Sequence, residues 1–101
     1  MFDLKSTKYN VQYTSRFKKE FKKALKQGKD ENKFLEVLSV IANGEELDSK
    51  YKNHKLLNDK IYKGCSECHI TPDWLLVYKI QDNELILLLF ATGSHSELFN
   101  K

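Results

Sequence analysis

A chain of 101 residues, 41% hydrophobic and 31% charged, with four Gly and one Pro, has room for one domain (residues 1–101) with a modest core and no long disordered tail. Its net charge of +3 hides an asymmetry: residues 1–29 carry nine basic residues against two acidic, whereas residues 30–101 are net −4. A basic first third suits a polyanion or an acidic protein partner, and on charge alone it equally describes a solvated helix face.

Phe2–Val11 is interrupted by Asp3, Lys5 and Lys8, unlike an apolar secretory leader, and the longest apolar run, Leu85–Ala91, is far too short to cross a bilayer. A cytoplasmic protein without a membrane partner is expected. In chain order, Tyr9, Val11 and Tyr13 alternate with polar neighbours and predict a short strand over residues 9–15. Thr14 or Ser15 then caps a helix whose apolar stripe is Phe17, Phe21, Ala24 and Leu25, with lysines on the opposite face and Gly28 as its stop. Asp30 caps a second helix, apolar on most sides from Phe34 to Ala42 and stopped by Asn43-Gly44, so the two form a helical hairpin.

Residues 45–66 read as polar and irregular, with His54 in a loop and Cys65 exposed. The period then changes to two. Glu67–Ile70 is a short extended piece ended by Thr71-Pro72, Trp74–Ile80 is a strand, Asp82-Asn83 is a tight turn, and Glu84–Thr92 is a strand covered on both faces. Ser94 and Glu97 fit a capping box that starts one helical turn at His95, anchored by Leu98 and Phe99. The expected fold class is α+β: a small antiparallel β-sheet with an N-terminal helical hairpin packed on it.

Cys65-Ser66-Glu67-Cys68-His69 has the spacing of covalent haem attachment. No export signal is expected, and the sequence holds no methionine beyond Met1 as an axial ligand. Zinc needs about four ligands in tetrahedral geometry, but Cys68 and His69, adjacent in an extended segment, point to opposite faces. Neither a cofactor nor a metal is expected, and Cys68 reads as a core residue beside Ile70. Glu67 and His69 then share the other face, followed by Asp73 and Trp74. The chain holds three histidines, His54, His69 and His95, and histidine is the side chain suited to moving protons near neutral pH. A sheet surface that gathers them with Asp73 makes an acid–base site; scattered, they are ordinary surface or core residues.

The strings "NHKL", "ECHITPDWLLVYKI" and "LLLFATGSHSELF" resemble the RelE superfamily of type II toxins, in its YafQ-like branch, and the match runs essentially along the whole chain. The resemblance implies an mRNA interferase: an endoribonuclease that enters the ribosomal A site, cuts mRNA there, needs no metal, and is neutralised by a cognate antitoxin. Operator DNA is then met only through the antitoxin. Carried over by position, His54, His69, Asp73 and His95 correspond to the family's catalytic residues, and Trp74 and Phe99 to aromatic positions implicated in activity. In that chemistry the ribose 2′-OH attacks its own 3′-phosphate. One group takes its proton, another protonates the leaving 5′-oxygen, and each step contributes about 10²–10⁴-fold. His54 and His95 are assigned to proton transfer, with His69 and Asp73 as their partners and Trp74 as a platform for an unstacked base.

The family pattern has Arg before T-G-[ST]-H, where this chain has Ala91. An arginine there is expected to stabilise the scissile phosphate. Lys52, Lys55 and Lys63 are the candidate replacements. The loss of that arginine also supports an alternative: a non-catalytic protein of the same fold that binds an antitoxin or nucleic acid. The gyrase-poisoning branch of the superfamily is a further alternative, disfavoured by the histidine set.

Overall fold

The computed structural model describes residues 7–99, so the first half of the Phe2–Val11 stretch, read as no secretory leader, lies outside them. Strand β1 (Asn10–Tyr13) leads directly into helix α1 (Ser15–Lys26). The Thr14 hydroxyl accepts from Phe17 N at 2.9 Å, which caps the helix, and donates to Phe90 O at 2.7 Å, which ties the cap to the sheet. Helix α2 (Glu31–Ala42) begins where the Asp30 carboxylate accepts from Asn32 N. Gly28 takes a φ of +90°, the left-handed turn that ends the first helix and opens the second.

After α2 come a 3-10 turn at Ser49–Tyr51 and a two-residue strand β2 (His54–Lys55). Strands β3 (Ser66–Thr71), β4 (Trp74–Gln81) and β5 (Ile86–Gly93) follow, and the five-residue helix α3 (His95–Phe99) closes the described chain. The strand order is β1-β5-β4-β3-β2. From β2 through β5 every pairing is antiparallel, as expected, but β1 adds to the edge of β5 in parallel, so the complete sheet is mixed. The expected tight turn at Asp82-Asn83 is instead a 3-10 turn over Asp82–Glu84, closed by Leu85 at a φ of 54°.

Two cores divide the sheet's faces. On one, Phe17, Phe21 and Ala24 of α1 and Phe34, Val37, Leu38 and Ile41 of α2 cover Cys68, Ile70, Leu76, Leu87 and Leu89. This is the helical hairpin packing on the sheet, and it uses the apolar stripes read from the sequence. On the other face a smaller cluster unites Tyr62, Cys65, Leu75, Val77, Ala91 and Leu98. The register shifts so that Val77 pairs with Ala91 but Tyr78 pairs with Leu89, leaving Phe90 as the extra residue of a bulge. The bulge reverses the alternation of β5. Leu87 and Leu89 face the hairpin, whereas Ala91, which unbroken alternation would place beside them, joins the second core.

Candidate active site

The site lies on the face away from the hairpin. On β3, Glu67 and His69 alternate with Cys68, whose side chain goes into the hairpin core as expected. His54 is not in a loop: it occupies β2, directly opposite Glu67 in the antiparallel register, so the two side chains share a face. The Glu67 carboxylate, 5% exposed, is the hub. Its Oε1 stands 3.3 Å from His69 Nε2 and 3.8 Å from His54 Nε2. His54 Nδ1 lies 2.8 Å from the Lys52 carbonyl, which only accepts, so Nδ1 carries a hydrogen. In the neutral ring, Nε2 is then the basic nitrogen, and it is the one turned toward Glu67.

His95 arrives from α3. The capping box forms as read: Ser94 N donates to Glu97 Oε1 at 2.8 Å, and Glu97 N donates to Ser94 Oγ at 3.2 Å. The Ser94 amide first, and then Lys23 Nζ at 2.9 Å, hold the Glu97 carboxyl down at about 2. The His95 ring lies 5.0 Å from that of Phe99, which meets Tyr62 edge-on at 5.4 Å. His54, Glu67, His69, His95 and Phe99 line one groove of about 480 Å³, with Asp59, Tyr62 and Leu98 among the remaining walls.

Tyr62 and Asp59 carry the loop that builds this wall. The Asp59 carboxylate accepts from the amides of Ile61 and Tyr62, a side-chain turn that swings Tyr62 inward. The buried Tyr62 hydroxyl donates to Leu98 O at 2.8 Å and accepts from Arg16 Nη2 at 2.6 Å. Burial pushes the phenol pKa up, so the group stays protonated and able to donate.

Several expected site residues lie elsewhere. Trp74 is 1% exposed, stacked near Phe21 and Phe34 at 6.4 and 5.9 Å, so it packs the hairpin core and offers no face to a base. Its Nε1–H has no hydrogen-bond partner among the described residues. Asp73 is not gathered with the histidines. It is exposed at the β3–β4 turn and lines a different groove with Lys29, which bonds its carboxylate at 2.8 Å. Lys29, with help from Thr71, lowers its carboxyl pKa to about 2. Lys55 and Lys63 are exposed and do not line the histidine groove, and Lys52 lines a neighbouring one. Ala91 has no exposed surface and sits in the second core with Tyr62.

The cysteines depart from the reading in one respect: Cys65 is buried with Tyr62, Leu75 and Val77 rather than exposed. The two thiols thus belong to different cores on opposite faces of the sheet, which prevents them from gripping one haem or ion. Burial pushes Cys68 up to about 12 and also raises Cys65, so both remain neutral thiols. Glu67 was visible beside His69 but was not singled out. The available signal was an acidic residue inside a strand otherwise made for burial, a placement strands disfavour without a partner.

Residues 9–100 match the family described as bacterial toxin of type II toxin-antitoxin system, YafQ. The chain belongs to the YafQ family. The mRNA interferase toxin YafQ of Escherichia coli strain B is 35% identical over 91 residues, which span 89% of this chain and 95% of that one. The crystal structure of YafQ in complex with DinJ, also from E. coli, superposes with a TM-score of 0.80 at 33% identity, covering 91% of this chain and 98% of the other. A Helicobacter pylori toxin crystallised in a metal-bound form reaches a TM-score of 0.83 at 38% identity, over 90% and 99% of the two chains. Among the described residues of this chain, no group of three His, Cys, Asp or Glu side chains is spaced to hold a metal ion. No helix of the described residues is long and apolar enough to cross a membrane.

Proposed function

We propose that this type II toxin is an endoribonuclease that cuts mRNA in the ribosomal A site. The observation that carries the reading is the convergence of His54 and His69 on the buried Glu67, with His95 lining the same open groove. His54 and His95 approach from separate elements, β2 and α3, and serve as the proton-transfer pair. One imidazole takes the ribose 2′-OH proton as the 2′-oxygen bonds to phosphorus. The P–O5′ bond breaks, and the other, as imidazolium, protonates the departing oxygen. The products are a 2′,3′-cyclic phosphate and a 5′-hydroxyl.

His69, held by Glu67, orients the scissile phosphate, and Phe99 beside His95 replaces Trp74 as the platform for a base. The carboxyl of Asp73, held near 2, is a poor proton carrier at neutral pH. It acts as a fixed acceptor for the RNA at the β3–β4 turn. Every proton in this scheme travels on an imidazole, so the reaction runs without a metal. The chain works in the cytoplasm, on ribosomes. A cognate antitoxin of the kind that DinJ is for the E. coli toxin restrains it, and only through that partner does it meet operator DNA.

The test is an in vitro translation reaction with mapped mRNA ends. The purified chain should generate A-site cuts with 5′-hydroxyl ends, and His54→Gln and His95→Gln should each lower the rate by about 10²-fold or more. Pretreating the purified chain with chelator, then removing the chelator before it meets ribosomes in their usual Mg²⁺, should leave the rate unchanged. Cutting that survives both histidine substitutions sinks the assignment. The sealing of Ala91 inside the second core favours a non-catalytic binding protein as the second reading. Growth arrest that both histidine variants retain in full, with intact mRNA, selects it.

A further inference from the structure

The histidine groove has a charge deficit for an RNA site. Neither lysine nor arginine is among its lining residues. The one arginine in the chain is committed to Tyr62 and to Glu20 at 3.1 Å, and position 91 is buried alanine. Yet a scissile phosphate and its neighbours need cations nearby.

They stand on the far side of one ring. His69 lines both the histidine groove and a second groove of about 450 Å³ beside it. That groove runs between α2 and the Ser49–Tyr51 turn, and Lys33, Lys50 and Lys52 line it against a single carboxylate, Glu36. None of these lysines forms an ion pair with a described carboxylate, unlike Lys23 and Lys29 in the groove around Asp73. Tyr51 contributes an aromatic wall, with Lys50 Nζ 5.2 Å from its ring centre. Lys52 is held at a φ of 50°, a backbone state that side-chain-bearing residues rarely adopt. Its carbonyl fixes His54 while the residue lines this groove, so one strained residue joins the two.

We propose that the lysine groove is the subsite for the nucleotide flanking the scissile phosphate. Lys33, Lys50 and Lys52 contact the single-stranded RNA backbone, and Tyr51 receives the base. The subsite rests on the endoribonuclease reading and supplies the positive field that position 91 does not. An acidic antitoxin segment meets the same cations, but the aromatic wall and the continuity through His69 favour RNA.

The test uses the intact chain and a short single-stranded RNA in which a 2′-deoxy nucleotide blocks cleavage. Binding is measured across a fourfold rise in salt. Each of Lys33→Gln, Lys50→Gln and Lys52→Gln should reduce the slope of log affinity against log salt by about 0.7. Together they remove an approximately 20-fold salt-dependent loss of affinity. Lys22→Gln, on the outer face of α1, is the control for a general charge effect. In a second arm, a photoreactive thiouridine placed beside the deoxy nucleotide on programmed ribosomes should crosslink to the segment containing Tyr51. A triple variant with the parent's slope, or crosslinks confined to other segments, overturns the subsite. Crosslinking to that segment by a chain that never cuts cleavable mRNA keeps the subsite and removes the catalytic reading instead. Normal RNA binding by the triple variant, combined with lost affinity for an acidic antitoxin peptide, assigns the lysines to the antitoxin.

Discussion

Removing one oxygen from Tyr62 tests how the C-terminal wall of the groove is held. The Tyr62 hydroxyl bridges Arg16 Nη2 and the Leu98 carbonyl at 2.6 and 2.8 Å, and the residue is 1% exposed. Tyr62→Phe keeps the ring against Phe90 and Phe99, at 5.8 and 5.4 Å, so little packing is lost. What is lost is the buried donor to the Leu98 carbonyl, at a cost of about 1–3 kcal/mol. For a domain of this size that lowers Tm by roughly 5–20 °C. Arg16→Ala removes a partly exposed ion pair with Glu20 and one bond to the hydroxyl but leaves the Tyr62–Leu98 bond in place, so alone it should cost less. A double-mutant cycle should then show coupling of about 0.5 kcal/mol or more between positions 16 and 62. Melting followed by circular dichroism supplies all four corners, and cleavage by the parent and Tyr62→Phe at a temperature where both are folded supplies the functional arm. Because Leu98 and His95 share α3, the expected functional loss is in kcat. Melting within 2 °C of the parent, with additive single effects, would refute the bridge.

Further outcomes follow from the same geometry. Ala91→Arg should not restore a family-like site. It forces a charged side chain into the core of Tyr62, Leu75, Val77 and Leu98, which combines overpacking of about 1–3 kcal/mol with burial of an ion, so Tm should fall sharply; a stable variant with faster cleavage would contradict this placement. Both thiols should resist an aromatic disulfide reagent in the native protein and react in denaturant, and prompt native labelling of Cys65 would show that its burial is misassigned. The Glu97 carboxyl lies near 2 in the fold, against an ordinary value of 4.5. Its contribution to stability is therefore complete above about pH 4.5 and is lost as pH falls toward 2. Glu97→Gln should flatten Tm across that acid range, and an unchanged profile would remove the capping and Lys23 contacts from the account.

Much of this fold was legible because its signals are local. Thr14, Asp30 and Ser94 with Glu97 announce helix starts through their own amides, and the stripe of Phe17, Phe21 and Ala24 needs only the helical period. What escaped depends on distant partners. Four residues of β1 carry no sign that they pair in parallel with β5, more than seventy positions later. The two residues of β2 are too few to show a period, so His54 read as loop until its register opposite Glu67 placed it. Trp74–Tyr78 is apolar on both faces, so the pattern does not say which side Trp74 takes. The aromatic pair Phe21 and Phe34, contributed by two different helices, decides it. Ala91 was displaced for another reason, since a bulge changes which face a residue occupies without changing its neighbours in sequence. The histidines were legible as a set, but the carboxylate that joins two of them was not.

The groove's dependence on α1 follows from how short α3 is. A five-residue helix has no independent stability, so the position of His95 is set by what holds that segment from outside. Three side chains of α1, spaced to fall on one side of the helix, do this. Arg16 reaches the Leu98 carbonyl through Tyr62, Glu20 Oε1 accepts from Thr92 N at 3.0 Å, and Lys23 pairs with Glu97. The stripe lies between the buried phenylalanines and the exposed lysines of the same helix, so α1 serves core, positioning and charged surface at once. Of the three, the Lys23–Glu97 pair is exposed enough to be individually weak, but all act on the same end of β5 and α3, where contacts that share a segment couple. A partner that draws α3 away from α1 therefore takes His95 out of the groove without touching Glu67 or the histidines of β2 and β3. In this chain the basic helix α1 and the turn that carries His95 are mechanically one unit.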